Sequence, residues 1–495
     1  MAVDPRTPCI IGVAQRTVRP PGPAPEPLDS WELVARAAAA DAGVPDVLRD
    51  LESVQVVYCQ SWPYDDPVGR LALRLGAAPA RCAYSGIGGT TPQVLLDDTA
   101  ERIVRGELDL GLVVGAEALA TLRALRKAGE RADWSHRDPE RRPFPFEAAP
   151  VPTEVAHEVF QAYLTFPLFD TARRAARGDS LGSYAEAIGR MLAPMTEVAA
   201  ANPHAWFPVR RPATELAEPS AQNRYVGWPY TKLEVAVMDV DMAAAVLLCS
   251  WERADALGVS PDKRVALRGW AYGTDCWTVA EREDMARSPA MSAVTRAALA
   301  VAGLGVDDVS SFDIYSCFPS SLHLAADALG IEPTDHRGLT VTGGLPYAGG
   351  PASDYVLHAV ASMVERLRGE PGAAGLVTGV GMHMTKHVAA VYSTDPGCAA
   401  PAPVDGAALQ ATLDAGPRRT VVDGYDGDAT VAALTVEHGR DGAAVRGLLV
   451  LDLPGGARAY GRVDEAGLLA DAESRELVGA GVRLRSDGRV TTASW

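Results

Sequence analysis

The sequence predicts an α/β protein that carries a helical insertion and ends in a small β-rich domain. Three observations support this. Apolar runs of strand length alternate with helical segments over most of the chain; residues 120–230 interrupt that alternation with prolines and aromatics; and only short strands and tight turns follow Cys398.

In chain order, Pro20 to Pro27 is a proline-rich surface loop, and a helix over Trp31 to Ala40 follows, with Asp29 or Ser30 as its cap. Ser53 to Tyr58 reads as a buried strand, residues 92–105 as a helix ended by Gly106, and Asp109 to Gly115 as another buried strand. This rhythm favours a mostly parallel sheet covered by helices. The interval from about 120 to 230 holds Phe144, Phe146, Phe160, Tyr163, Phe166, Trp206 and Trp228, and reads as an irregular, mainly helical insertion. The alternation resumes at Leu233 to Leu248, followed by a helix over Ser288 to Ala302. It continues with a strand at Ser311 to Tyr315, helices at Ser320 to Leu329 and Ala352 to Arg368, and strands at Ala374 to Thr378 and Val388 to Tyr392.

Ala399 to Gly406 reads as a linker. Beyond it, Thr430 to Glu437, Ala444 to Leu453 and Ala457 to Val463 are candidate strands, with turns at Gly455-Gly456 and Asp487-Gly488. Such a pattern suits a barrel of the OB type. The organisation expected is thus 1–260 as a first half bearing the insertion, 261–398 as a second half, and 399–495 as an added domain.

Composition narrows the functional classes. The 495 residues carry 46 Lys+Arg against 63 Asp+Glu, a formal charge of −17, with 47% hydrophobic and 22% charged residues. These are values of a folded, soluble protein with more than one core. The negative balance argues against nucleic acid or an anionic membrane as the main partner. OB barrels often bind nucleic acid, but residues 401–495 hold 14 acidic and 10 basic side chains, which argues against it here. The longest apolar segment, Val235 to Cys249, is interrupted by Asp239 and Asp241 and is too short and charged to span a bilayer. The first residues show no signal-peptide pattern. The seven cysteines are scattered without a Cys-x-x-Cys pair, so neither a disulfide framework nor a zinc module is expected. The expected location is cytoplasmic.

Four unusual loops sit at strand ends or helix starts: Ser85 to Gln93, Asp313 to Pro319, Gly343 to Pro351, and Thr378 to His383. In this order and spacing they resemble the thiolase superfamily, in particular its sterol-carrier-protein thiolase-like branch, over roughly residues 5–395. With the C-terminal extension, the chain is similar to the thiolase-like proteins of type 1. The resemblance implies a five-layer αβαβα core of two similar halves, with the active site at their junction. It also implies acetyl-CoA acyltransferase kinship, and coenzyme A or an acyl-CoA as ligand or substrate with no further cofactor. The loop insertion would receive the CoA moiety, and the oligomeric state would be monomer or homodimer.

Transferred position by position, the resemblance places glycine where the family has its chemistry. The nucleophilic Cys falls at Gly89, the His of Gly-His-Pro at Gly350, and the second Cys at Gly379; the His of His-Asp-Cys-Phe becomes Tyr315. Glycine offers no nucleophile, so covalent thiolysis or Claisen condensation is not expected. Tyr315, Cys317 and Tyr347 are expected to cluster at the vacated site, with His383 lining it. Some thiolase-fold aldolases are similar in relying on tyrosines for retro-aldol cleavage of an acyl-CoA, alongside a separate β-domain partner. Tyr315 and Tyr347 are therefore candidates for acid–base work, and space-filling is the alternative. Cys317 is a weaker candidate nucleophile, or structural.

His383 and His387 have metal-pair spacing for a helix, but a strand here would place them about 13 Å apart, so no metal is expected. Gly86 to Gly89 lacks the third glycine and acidic partner of a dinucleotide loop. Arg224 and Lys232, with Trp228 or Tyr230 against adenine, form the candidate CoA-facing segment. Three functions remain open at this point: an acyl-CoA enzyme with non-covalent chemistry such as C–C lysis, a non-catalytic acyl-CoA-binding or scaffold protein, and an acyltransferase with an unrecognised nucleophile.

Overall fold

The computed structural model describes residues 3–140, 145, 147–148 and 151–495, so Phe144 and Phe146 lie outside the described residues. The first half contains β1 (Pro8–Thr17), α1 (Pro27–Asp41), β2 (Ser53–Val56), α2 (Pro67–Leu75), β3 (Arg81–Tyr84), α3 (Thr91–Val104) and β4 (Leu110–Ala118). The insertion contributes α4 (Leu119–Ala128), α5 (Pro152–Ala156), α6 (Ala162–Arg177), α7 (Leu181–Ala201), α8 (Ala213–Ala217) and the short strands β5 (Tyr225–Trp228) and β6 (Tyr230–Thr231). Then come β7 (Asp241–Ser250), α9 (Trp251–Ala256), β8 (Val265–Thr274), α10 (Pro289–Ala302), β9 (Ser311–Asp313), α11 (Pro319–Leu329), α12 (Tyr355–Arg368), β10 (Ala374–Gly381) and β11 (Lys386–Ser393).

These strands form one nine-stranded sheet in the order β3-β2-β4-β7-β1-β8-β11-β10-β9. It is mixed, not mostly parallel. Only β2–β3, β2–β4 and β9–β10 run parallel, because β7, β1, β8 and β11 all meet their neighbours antiparallel. Within the sheet, the halves pair where Cys9 and Ile10 of β1 meet Ala266 and Val265 of β8. Both faces of the first half are covered, as the alternation along β7 requires. Ala243, Ala245, Leu247 and Cys249 pack with Trp31 and Val34 of α1, while Ala244, Val246 and Leu248 turn toward Leu95 and Leu96 of α3. Helices α3 and α12 lie between the two halves, and α10 covers the far side of the second. The layers therefore run helix, sheet, helix, sheet, helix.

The halves repeat one device. A Cβ on Gly12 of β1 would sit 2.0 Å from the Ala38 carbonyl of α1, and one on Gly269 of β8 would sit 2.2 Å from the Ala298 carbonyl of α10. In each half a glycine lets a helix backbone rest directly on the strand. The helices also match in sequence, Ala35-Arg-Ala-Ala-Ala-Ala-Asp-Ala-Gly43 against Thr295-Arg-Ala-Ala-Leu-Ala-Val-Ala-Gly303. Helix α10 starts on Ser288, whose side chain accepts from the Met291 N–H, with Pro289 behind it, and stops at left-handed Gly303. Helix α1 begins earlier than expected, at Pro27, and neither Asp29 nor Ser30 caps it.

The added region opens with α13 (Gly406–Asp414), capped by Asp405 and docked on β8 through two Gln410–Thr274 hydrogen bonds of 2.8 and 3.1 Å. Strands β12 (Gly427–His438), β13 (Ala444–Asp452), β14 (Arg458–Val463), β15 (Gly481–Ser486) and β16 (Thr491–Ser494) close on themselves in the order β12-β13-β14-β16-β15-β12. Helix α14 (Ala466–Ser474) packs on β12 and β13. This is a small closed barrel of the OB-like kind.

The barrel also takes in part of the insertion. Strand β5 pairs with β12, Trp228 opposite Val436, and Trp228 is buried within the barrel core. Thr435 donates to the Trp228 carbonyl at 2.8 Å, and Thr171 of α6 bridges to Leu434. Trp228 thus joins two regions that are far apart in sequence. Trp228→Ala is expected to cost about 3–5 kcal/mol of stability, read as a lower urea midpoint by circular dichroism.

Candidate functional site

The loop after β3 delivers Gly89 to the position just before Thr90, the N-cap of α3, at the end of the helix that carries the positive end of its dipole. Gly88, at φ +113°, makes the bend, and its N–H donates to Ser353 Oγ at 3.0 Å. The loop after β9 brings Tyr315 onto this turn. A Cβ on Gly89 would lie 2.1 Å from Tyr315 Oη, so the phenol fills the space in which a side chain at position 89 would begin. A Cβ on Gly379 would lie 2.9 Å from the Gly89 carbonyl and 2.8 Å from Val388 Cγ1. Three of the four family positions, Gly89, Gly379 and Tyr315, therefore meet at one point.

Tyr315 is 5% exposed, sits edge-on to Tyr355 with centroids 5.6 Å apart, and has its N–H held by Thr378 Oγ1 at 2.9 Å. Burial pushes its phenol well above the ordinary value, which favours the protonated form. Behind it, buried Asp313 accepts from Tyr355, Thr340, Thr342 and the Val341 N–H, which fixes the start of the Gly343–Gly350 turn. Gly350 lies farther along that turn, its N–H on the Val237 carbonyl at 2.9 Å and Leu345 and Ala236 flanking it.

Cys317 lies within electrostatic reach of Tyr315. Cys317 is buried with Sγ 3.6 Å from Ser321 Oγ, and burial pushes the thiol up to about 12, the wrong direction for a nucleophile. Tyr347 is 2% exposed with its hydroxyl unpartnered among the described residues, and the charges nearest it, Glu234 and Arg211, belong to the insertion. His383 turns outward to the Phe160 carbonyl at 3.0 Å, and burial lowers its pKa. The stretch from His383 to His387 is a turn with positive φ at Met382 and Met384, not four strand steps, and His387 faces Asp275 instead. No group of three or more His, Cys, Asp or Glu is placed to hold a metal among the described residues.

The candidate CoA-facing segment is corrected in its aromatic part. Trp228 belongs to the barrel core, and Tyr230, fully buried, donates to Asp170 at 2.6 Å, so neither ring faces a ligand. Arg224 is half-buried and donates to the Tyr225 carbonyl, while Lys232 is exposed. The aromatic and basic cluster marks a β-hairpin whose alternate side chains enter a core.

Sequence reasoning missed Lys386. It is 1% exposed, and its Nζ donates to the Ile87 carbonyl at 2.6 Å and to Glu147 at 2.5 Å. The ammonium therefore lies under the loop that ends in Gly89. The one available signal was its rarity, since the chain has only four lysines among 46 basic residues.

Residues 408–489 match the family model of the thiolase-like protein type 1 additional C-terminal domain. A crystal structure of a monomeric SCP2-thiolase-like protein type 1 from Mycobacterium smegmatis superposes with a TM-score of 0.86 at 32% identity, covering 99% of this chain and 100% of that one. The chain belongs to this thiolase-like protein type 1 family. More distant folds include an Ltp2–ChsH2(DUF35) aldolase (TM-score 0.60, 18% identity, 78% of this chain and 98% of that one). An acetyl-CoA acetyltransferase from Syntrophomonas wolfei follows (TM-score 0.52, 16% identity, 79% and 99%). At such identities these two show the shared fold alone. No curated protein matches the chain. As in the type 1 relative, whose whole length is covered, the core and added domain form one chain.

Two outcomes follow for this thiolase-like protein. Gly89→Cys is expected to lose about 1–3 kcal/mol by overpacking against Tyr315, and Gly89→Cys/Tyr315→Ala is expected to regain most of it, as compared by thermal unfolding. The second concerns Asp275. Burial alone would raise its pKa, but the His387 hydrogen bond, the Arg282 charge and Ser288 draw it down to about 2. A folded-state pKa below the unfolded value stabilises above the unfolded value, and that stability is lost as pH falls through the folded one. Asp275→Asn is therefore expected to cost about 2 kcal/mol at pH 7 and to flatten the loss of stability between about pH 4 and 2, measured by urea titration at each pH.

Proposed function

We propose that the protein is a cytoplasmic monomer that binds an acyl-CoA without ever forming an acyl-enzyme. One observation carries this reading: Tyr315 Oη occupies the space above Gly89, where the fold's nucleophile would begin. Among the described residues no thiol, hydroxyl with a base, or imidazole stands in its place, and burial favours the protonated form of the Cys317 thiol. Membership in a thiolase-like family supports the ligand class, and the monomeric relative supports the oligomeric state. Seven unpaired cysteines suit a reducing compartment. No helix is long and apolar enough to cross a membrane among the described residues.

A second reading, cleavage of a C–C bond in a β-hydroxyacyl-CoA, draws on the same tyrosine. A protonated phenol at the start of α3 is placed to donate to a thioester oxygen as negative charge develops there. The likeness to an aldolase core adds the fold but not the chemistry.

Incubation with acetoacetyl-CoA and CoA is expected to give no acetyl-CoA and no covalent adduct by intact-mass spectrometry, while calorimetry registers CoA binding. An acetyl adduct on any residue overturns the proposal. Release of aldehyde or ketone from a β-hydroxyacyl-CoA, abolished by Tyr315→Phe, would establish the second reading in its place.

A further inference from the structure

We infer that Lys386, Thr90 and the first turn of α3 form a carboxylate-binding seat, which Glu147 fills when no ligand is present. The acyl-CoA of the preceding reading, on which this inference rests, then carries a carboxylate on its acyl chain.

The ion pair is lopsided. The Lys386 side chain is 2% exposed, whereas that of Glu147 is 40% exposed and reaches in from the insertion. A buried ammonium needs a counter-charge, and the Ile87 carbonyl alone does not neutralise it. The seat therefore stays occupied by an anion at all times, and Glu147 withdraws only when another anion arrives.

The surroundings favour an anion beyond the lysine itself. Thr90 is 1% exposed, and its Oγ1 has no hydrogen-bond partner among the described residues, an uncommon cost for a buried hydroxyl. It faces the same spot as the lysine: a methyl placed on Gly381 would lie 2.9 Å from Lys386 Cε and 3.3 Å from Thr90 Oγ1. Helix α3, 14 residues long, points its positive end here. Three glycines leave the walls as bare backbone. A methyl on Gly88 would come within 3.3 Å of Lys386 Nζ, and one on Gly86 within 3.4 Å of Glu147 Oε1. Gly86 and Gly88 are both partly exposed, so the seat opens to solvent. Glu147 meets the lysine with a carboxylate but leaves Thr90 Oγ1 unpartnered, so a ligand carboxylate that takes its place on the lysine gains the threonine bond as well.

Calorimetry with succinyl-CoA, butyryl-CoA and CoA alone tests this. Succinyl-CoA is expected to bind at least tenfold tighter than butyryl-CoA. Lys386→Met is expected to erase that preference, and Glu147→Gln to enlarge it several-fold by removing the internal competitor. Equal affinity for the two thioesters overturns the carboxylate seat while the acyl-CoA reading stands. Loss of the preference in Glu147→Gln also overturns it, and this variant decides the matter if Lys386→Met does not fold. Absence of binding by all three, CoA included, overturns both.

Discussion

The loop that carries Tyr315 and Cys317 is held from behind by one buried carboxylate. Asp170 of α6 is wholly inaccessible and accepts hydrogen bonds from Tyr184 Oη at 2.7 Å, Tyr230 Oη at 2.6 Å and His323 Nδ1 at 2.8 Å. Burial alone would raise its pKa, but the His323 charge and these three bonds bring it below the ordinary value, so the group is ionised and fully engaged. Two of its partners come from the insertion and one from α11. Tyr230 Oη also accepts the Ser320 N–H in the first turn of α11, and Phe318 stacks on Phe166 of α6 with centroids 4.5 Å apart. The loop bearing Tyr315 and Cys317 is therefore clamped at its far end by the insertion. Removing the carboxylate would strand two phenols and an imidazole in a dry interior, which is why such a hub acts as a single unit.

Given that clamp, Tyr315 and Gly89 determine each other. With the loop held from behind and Tyr355 set edge-on beside the ring, the phenol has one place to go, and that place excludes any Cβ at position 89. Gly379 is constrained from the other side by Val388 and the Gly89 carbonyl. The glycines at these two positions therefore do more than lack a nucleophile. They let the three loops close on one another at backbone distance, leaving Tyr315, Thr90 and the Lys386–Glu147 pair as neighbouring side-chain chemistry.

The sequence revealed the fold class and most elements where periodicity was uninterrupted: α3, α10, α11, β10 and the first three barrel strands all lie within a few residues of where they were expected. It did not reveal β1 and β8. Gln15-Arg16-Thr17 and Arg268-Gly269 break up their apolar runs, and those glycines are needed because helix backbones rest on them. The match between α1 and α10 was present but obscured by alanine abundance. Strand direction was misjudged because buried parallel and buried central antiparallel strands share the same continuous apolar pattern. Around the site, Gly89, Gly379 and Tyr315 could be found by alignment of loops. Trp228 and Tyr230 were misplaced because an aromatic-rich hairpin looks the same whether its rings enter a core or face a ligand. Lys386 could not be found by pattern at all, since its burial comes from a hairpin folding under a loop nearly 300 residues earlier in the chain.

The added domain is joined mechanically to this site. Barrel strand β12 binds β5 of the insertion and reaches α6 through Thr171, one residue from Asp170. Arg174, three residues further along α6, is 3% exposed and pairs with Glu476 beyond α14. On the other side, Arg458 of β14 donates to the Ala280 and Arg282 carbonyls, and Tyr460 donates to Glu154 in α5 of the insertion. The continuous path from barrel to α6, to Asp170, to α11 and to Tyr315 is made of hydrogen bonds and packed rings, with no flexible linker in it. A domain attached in this way is part of the support that holds the tyrosine over its glycine, and the 400-residue core and its extension are better regarded as one folding body than as a catalytic unit with an appendage.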